Sequence, residues 1–410
     1  MAAIGKERLG LYISIPFCRS KCTYCNFASG VYPASDHRRY VDRLVEDMRG
    51  SGAWAAKMGV ALPRNVDTIY LGGGTPSVLE PNLIAAIFGA MREEFAIDPH
   101  AEITVECAPG QIADETLDAL VEAGVNRVSL GVQSFIDREA QVSGRLHSRS
   151  VVLSDLGRLR TAGIRNLNVD LIAGLAGQTA ASWEESLSVL MDSGVPHASV
   201  YMLEVDEDSR LGREMLGGGA RYYAELVPTD DAIAQMYERA IERLEGAGLR
   251  QYEISNFGQA GLLSRHNLRY WKRRPYLGVG LDASSMLLES SGGHVLRSTT
   301  MDDLKGFLAA PEPAETSWLS PDRQHEEAWF LGLRLNEGVN LSEMRGEFGN
   351  ERVATALDAV SELIDRGLLT SDRETVRLTA QGRLLSNDVF QQFLATPSDR
   401  NGVAAGSSAR

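Results

Sequence analysis

Six short Val/Ile/Leu/Tyr-rich runs, at 11–16, 67–72, 102–107, 126–132, 167–174 and 198–203, alternate with longer amphipathic stretches through the first half of the sequence. Each run has the length and composition of a strand. The stretches between them, DHRRYVDRLVEDMRG and ADETLDALVEAG among others, place apolar residues three and four apart behind a polar start, the pattern of a helix with one buried face. Strand–helix–strand succession of this kind implies parallel strands joined by right-handed crossovers. Six consecutive units predict an α/β protein built on a partial (β/α)6, TIM-like barrel, in which chemistry gathers at the carboxyl ends of the strands.

The barrel is expected over 1–205. Beyond it the pattern loosens: 206–308 reads as a barrel extension of short strands and loops, the Pro-rich stretch 309–325 as a linker, and 326–395 as a mostly helical, winged-helix-like domain. The polar, small-residue tail 396–410 is expected to be disordered. With 41 basic and 55 acidic residues the net charge is −14, which argues against a nonspecific nucleic-acid or anionic-membrane binder. Acidic residues such as Glu327, Asp358 and Glu362 make the winged-helix-like region a poor nucleic-acid module as well. No run approaches the ~18 apolar residues of a membrane span, and the N-terminus lacks the apolar core of a secretory signal. A cytoplasmic protein with no membrane insertion is expected.

Three of the four cysteines, Cys18, Cys22 and Cys25, fall on the loop after the first strand, and Cys107 stands alone. Clustering of this kind in a large cytosolic chain points to metal or redox chemistry rather than to a disulfide framework. Three thiolates at this spacing can hold three irons of a four-iron, four-sulfur cluster and leave the fourth iron open to a ligand. The alternatives are a zinc site completed by Cys107 or a histidine, and reduced bystander thiols. The second motif, Gly72-Gly73-Gly74-Thr75-Pro76, ends the second strand. A glycine run there lets the backbone approach a small ligand closely; by itself it could equally be a turn.

Together, the CxxxCxxC loop and the GGxTP strand end resemble the hallmark pair of the radical S-adenosylmethionine (SAM) superfamily. The resemblance implies that SAM chelates the open iron and that an electron from the cluster cleaves its C–S bond to a 5′-deoxyadenosyl radical. It narrows to the coproporphyrinogen dehydrogenase group and its HemW-type heme chaperone branch. The matching pieces run from Tyr12-Ile-Ser-Ile-Pro-Phe-Cys18 through TVECAPG, RVSLGVQSF, Gly144-Arg145-Leu-His147 and NVDLIAGLAGQT to the LGLRLNEGV and LT-x-x-GR patterns near the C-terminus. Carried over position by position, the resemblance implies that Tyr12, Tyr24, Gly73, Gly74, Thr75, Glu106, Gln133, Arg145 and Asp170 line the SAM site. Glu106 and Asp170 suit the ribose hydroxyls and Arg145 suits the methionine carboxylate. The segment His266-Asn-x-x-Tyr270-Trp271 matches a motif of the heme chaperone branch, which implies heme binding with His266 as axial ligand. The alternative is a buried histidine with aromatic neighbours at a domain interface.

Two features separate the branches. Oxygen-independent coproporphyrinogen III oxidases resembling this chain carry a longer N-terminal segment and a further Cys two residues after the third, where this sequence has Phe27. The expected function is therefore binding of the cluster, SAM and heme, with delivery of heme to apoproteins such as membrane-bound respiratory-chain components. A homodimer is left open. The competing readings are the oxidase itself, decarboxylating porphyrinogen propionates, or another radical enzyme acting on a tetrapyrrole. The chain also departs from the family pattern at Ser14, Asn26 and Ala176, and at Gly278-Val-Gly280-Leu281-Asp282-Ala283-Ser284, where relatives carry smaller residues.

Overall fold

The computed structural model describes residues 7–309 and 315–394. The expected tail at 396–410 lies outside them. Six parallel strands, β1 (Leu9–Ile15), β2 (Asn65–Gly73), β3 (Ala96–Cys107), β4 (Arg127–Gln133), β5 (Asn166–Ala173) and β6 (His197–Met202), lie side by side in chain order. Helices such as Ala34–Met58, Pro81–Glu94, Asp114–Glu122 and Ala180–Asp192 make the crossovers. The strands alternate in a way that decides the chemistry. One set of positions (Leu11, Ile13, Ile69, Val105, Val128, Leu130, Val169, Val200) is apolar and buried in the main core. The intervening set includes Tyr70, Glu106, Ser129, Asp170 and Ser199, all of which line one internal cavity. Side chains alternate faces along a strand, so the helices cover an apolar outer face and the barrel interior is polar.

Short strands extend this sheet at both sides. On one side β6 pairs with β8 (Asn256–Gly258), and β8 with β7 (Arg250–Gln251). On the other, β9 (Tyr276–Val279) runs parallel to β1 and is followed by β10 (Ser284–Leu288), β11 (Val295–Thr299) and β12 (Glu315–Leu319), all antiparallel. Among the described residues these twelve strands form one sheet whose outermost strands, β12 and β7, do not pair with each other, so the barrel is open. Here the structure differs from the linker expected over 309–325: residues 315–319 are a strand and a helix starts at Pro321. Ser320 caps that helix by accepting from the backbone N–H of Arg323, with Pro321 at the first helical position. A Ser-Pro pair is therefore a start signal at this point, not a break.

The C-terminal unit packs the helices Pro321–Leu333, Leu341–Phe348 and Asn350–Asp365 against a small antiparallel sheet of Val339–Asn340, Thr375–Leu378 and Leu369–Asp372. Its separate core includes Trp329, Val353, Leu363, Val376 and Phe393, with Trp329 and Phe393 stacked at 4.9 Å between ring centroids. Three helices followed by a hairpin give it the winged-helix character read from the sequence.

Candidate functional site

The loop after β1 carries the three cysteines and is held from several directions. The Cys18 N–H donates to the carbonyl of Gly30 at 2.9 Å, the Gly30 N–H to that of Pro16 at 2.9 Å, and the Thr23 N–H to that of Ser143 at 3.0 Å. Lys21 Nζ donates to the carbonyls of Phe27 and Ser29 at 2.9 and 2.8 Å. Gly144, at φ +90°, passes so close that a Cβ there would lie 3.2 Å from the Cys22 Cα; both conformation and space favour glycine. All three cysteines are free thiols that line the mouth of the cavity. Among the described residues no three His, Cys, Asp or Glu side chains gather around a single-ion site. Three thiols that each bind a different iron need no such convergence.

The glycine-rich end of β2 is knit to the same loop. The Gly74 N–H donates to the Ile15 carbonyl and the Thr75 N–H to the Phe17 carbonyl, both at 2.8 Å. A Cβ at Gly74 would stand 2.8 Å from both of those oxygens, so no side chain fits. The Thr75 hydroxyl lies 3.7 Å from the Cys18 sulfur. The sequence thus brings two motifs, separated by about fifty residues, into direct contact.

Deeper in the cavity, of about 730 Å³, Glu106 on β3 accepts from the Tyr70 hydroxyl at 2.8 Å and from the Gly73 N–H at 3.2 Å. Burial pushes its carboxyl up to about 7 against these hydrogen bonds. Asp170 on β5 accepts from Ser129 at 3.0 Å and from the Asn168 amide at 2.7 Å, and burial raises its carboxyl as well. Gln133 ends β4 at φ +69°, where the β4–β5 register shifts; this costly conformation turns the strand end into the cavity. Arg145 also lines the cavity, with a buried Nε that has no hydrogen-bond partner. A guanidinium with spare donors next to a cluster loop suits the carboxylate of a bound amino acid.

Of the residues expected at the SAM site, Tyr24, Gly73, Gly74, Thr75, Glu106, Gln133, Arg145 and Asp170 line this one cavity together with Cys18, Cys22 and Cys25. Tyr12 is not among its lining; its ring stacks at 6.2 Å on that of Tyr70, which is. Sequence reasoning missed Tyr70, Ser129, Asn168 and Ser199, which position the two carboxylates directly or through Asn168. Their signal was polar residues at every second position of otherwise apolar strands. The residues fit a cluster and SAM: the cysteines would hold three irons, Arg145 the methionine carboxylate, and Glu106 and Asp170 the ribose. When bound, the pair supplies one-electron cleavage chemistry in a site walled by protein.

His266 does not match the axial-ligand expectation. Its side chain is fully buried in the helix Arg265–Trp271. Nδ1 is hydrogen-bonded to the Thr68 hydroxyl at 3.0 Å and Nε2 to the Tyr270 hydroxyl at 2.8 Å. Both nitrogens are engaged, so neither is free for iron. The backbone N–H groups of Arg265 and His266 donate to the two oxygens of Glu102 at 3.0 Å each, which anchors the helix beneath the barrel. Burial first, and then the charges of Arg269 and Arg127, push the imidazole down to about 3. Replacing His266 by Ala should cost about 2–4 kcal/mol of stability, because a cavity remains and the Tyr270 hydroxyl loses its partner, while the Thr68 hydroxyl keeps its bond from Arg269 Nε at 3.1 Å. Heme affinity read by Soret titration should stay within about twofold; its abolition in a folded variant would restore the axial role.

Glu106 carries a pH dependence. Its folded-state value lies above the ordinary 4.5. Its contribution is therefore complete below about pH 4.5 and is lost as pH rises through about 7, by up to on the order of 3 kcal/mol. In SAM-free protein the melting temperature of wild type should fall more steeply than that of Glu106→Gln between about pH 5 and 8. Parallel curves would show that Glu106 is ionised throughout. An ionised carboxylate accepts from ribose hydroxyls more strongly than the neutral acid, so SAM affinity should rise over the same interval.

Comparison with known proteins agrees with this geometry. The family model of the radical SAM superfamily matches residues 12–190, and that of the HemN C-terminal domain matches 319–385. The chain is 32% identical to the heme chaperone HemW of Lactococcus lactis, over 93% of this chain and 96% of the relative. It is also 32% identical to the HemW of Bacillus subtilis, with 93% and 98% covered. Mitochondrial radical S-adenosyl methionine domain-containing protein 1 of Mus musculus is 31% identical over 95% of this chain and 88% of its own. Among solved structures, coproporphyrinogen III oxidase (HemN) of Escherichia coli superposes with a TM-score of 0.80 at 22% identity, covering 95% of this chain and 90% of its own; this likeness shows a shared fold. The chain belongs to the HemW heme chaperone family of the radical SAM superfamily.

Proposed function

We propose that this protein is a heme chaperone that holds a 4Fe–4S cluster on Cys18, Cys22 and Cys25, binds SAM in the barrel cavity, takes up heme and delivers it to apoproteins such as respiratory-chain components. The observation that carries this reading is similarity to heme chaperones over nearly the whole chain, barrel and C-terminal unit alike. The cluster loop supports it. Two residues after Cys25, where the oxidase reading calls for another thiol, stands Phe27, 63% exposed at the rim of the cavity. Ser14 contributes only a small hydroxyl beside Gly73, so the proton donor that a histidine there would offer is missing.

A cytoplasmic location fits the charge of −14, and among the described residues no helix is long and apolar enough to cross a membrane. Delivery to a membrane-bound acceptor would then rest on protein contact, because an acidic surface is repelled by anionic lipid. Product analysis tests the reading. Reconstituted protein incubated anaerobically with SAM, a reductant and coproporphyrinogen III should leave the porphyrinogen unchanged. Stoichiometric decarboxylation would make the protein an oxidase.

A further inference from the structure

The floor of the barrel holds a charge that the cluster and SAM do not use. Arg127, the first residue of β4, is 2% exposed and lines the cavity. It forms no ion pair among the described residues, and its Nε is buried without a hydrogen-bond partner. Among the described residues, the side-chain group within hydrogen-bond range of it is His197 Nδ1, at 3.4 Å. That nitrogen lies 2.6 Å from Asn168 Oδ1, an acceptor, so it carries the proton itself and cannot accept from the guanidinium. The Asn168 amide nitrogen confirms the orientation, since it faces oxygens of Ser129, Asp170 and Ser199.

The nearby acids are committed elsewhere. Asp170 feels the charge of Arg127, but its oxygens accept from Ser129 and Asn168. Glu106 is held by Tyr70 and Gly73, and Glu102 by the helix that closes the floor. A second guanidinium, Arg334, lines the same cavity, with its Nε also buried and unpaired. It lies over the Trp271 ring at 4.3 Å, and its closest carboxylate oxygen, on Glu253, is 3.9 Å away. Arg334 therefore has a partial partner and is partly exposed, whereas Arg127 is a buried charge left unpaired, which is costly and calls for a partner from outside the chain. A planar fork of N–H donors is matched best by a carboxylate.

We propose that Arg127 anchors a carboxylate at the floor of the cavity, separate from the carboxylate of SAM at Arg145. Two sources share this chemistry: a propionate arm of the tetrapyrrole, which rests on the heme chaperone reading, and a free small carboxylate, which does not.

Formate, the smallest carboxylate, is the probe. It is titrated into the anaerobically reconstituted full-length protein with SAM present to occupy Arg145, and its NMR linewidth is followed. Saturable broadening is expected in wild type, weakened at least about tenfold in Arg127→Gln. Absence of saturable broadening in wild type, or equal broadening in folded Arg127→Gln, overturns the site. If Arg127→Gln fails to fold, Arg127→Lys replaces it: the charge stays, the fork is lost, and weaker formate binding is again expected, with unchanged binding overturning the proposal. Displacement of formate by heme but not by heme dimethyl ester assigns the site to a propionate. Retention of formate when heme binds assigns it to a free carboxylate. A wild type that binds formate but no heme defeats the chaperone reading alone.

Discussion

Replacing Cys18, Cys22 or Cys25 by Ala, one at a time, is expected to drop the iron content of anaerobically purified protein to background and to abolish its broad visible iron–sulfur absorption. The effect should be all-or-none, because a cluster held by three thiolates has no spare protein ligand. The loop should survive each change. It is fixed by backbone hydrogen bonds to Gly30, Pro16 and Ser143 and by Lys21, none of which uses a sulfur. Folding measured by circular dichroism should therefore be nearly unchanged, which separates loss of the cluster from loss of the fold. Cys107→Ala is the internal control: its thiol is buried and pushed up to about 12 by that burial, and the iron content should remain.

The second large effect is expected at Arg145. Replacing it by Met removes a guanidinium, its Nε buried, from the cavity wall while keeping most of its length. SAM affinity should fall by about 30–100-fold, which corresponds to about 2–3 kcal/mol for a charge-assisted pair in a partly enclosed cavity. Equilibrium binding to the reconstituted protein reads this directly. Arg145→Lys should recover only part of the loss, because an ammonium cannot reproduce the two-pronged contact. Unchanged affinity in the Met variant would mean that another group takes the methionine carboxylate.

Much of this was legible in the sequence because two periodicities coincide. Strand-like runs spaced by helical stretches defined the barrel, and the cysteine loop and GGGTP fell at the ends of neighbouring strands, where the fold joins them. What was not legible depends on which face a side chain takes in three dimensions. In the His266–Trp271 segment, His266 and Tyr270 are four residues apart on one helix face, so they hydrogen-bond to each other instead of flanking a macrocycle. Tyr12 shares the alternation of its neighbours, yet it is not part of the cavity lining and packs on Tyr70, which is. The strand Glu315–Leu319 was hidden because prolines on either side of it suggest a linker, and its pairing with Val295–Thr299 is a long-range contact that local pattern does not reveal. The unpaired state of Arg127 is likewise a property of the assembled interior. A single arginine at the start of a strand carries no sign of whether a carboxylate meets it.

The most direct test of the account is heme transfer. Reconstituted protein loaded with one equivalent of heme is mixed with an apocytochrome of the respiratory chain, and the Soret band is followed as heme changes hands. A chaperone predicts that the acceptor gains its holo spectrum while the loaded protein loses its own, with no change in the tetrapyrrole. Failure to bind heme, or binding without any transfer to an acceptor that takes up free heme, would contradict it.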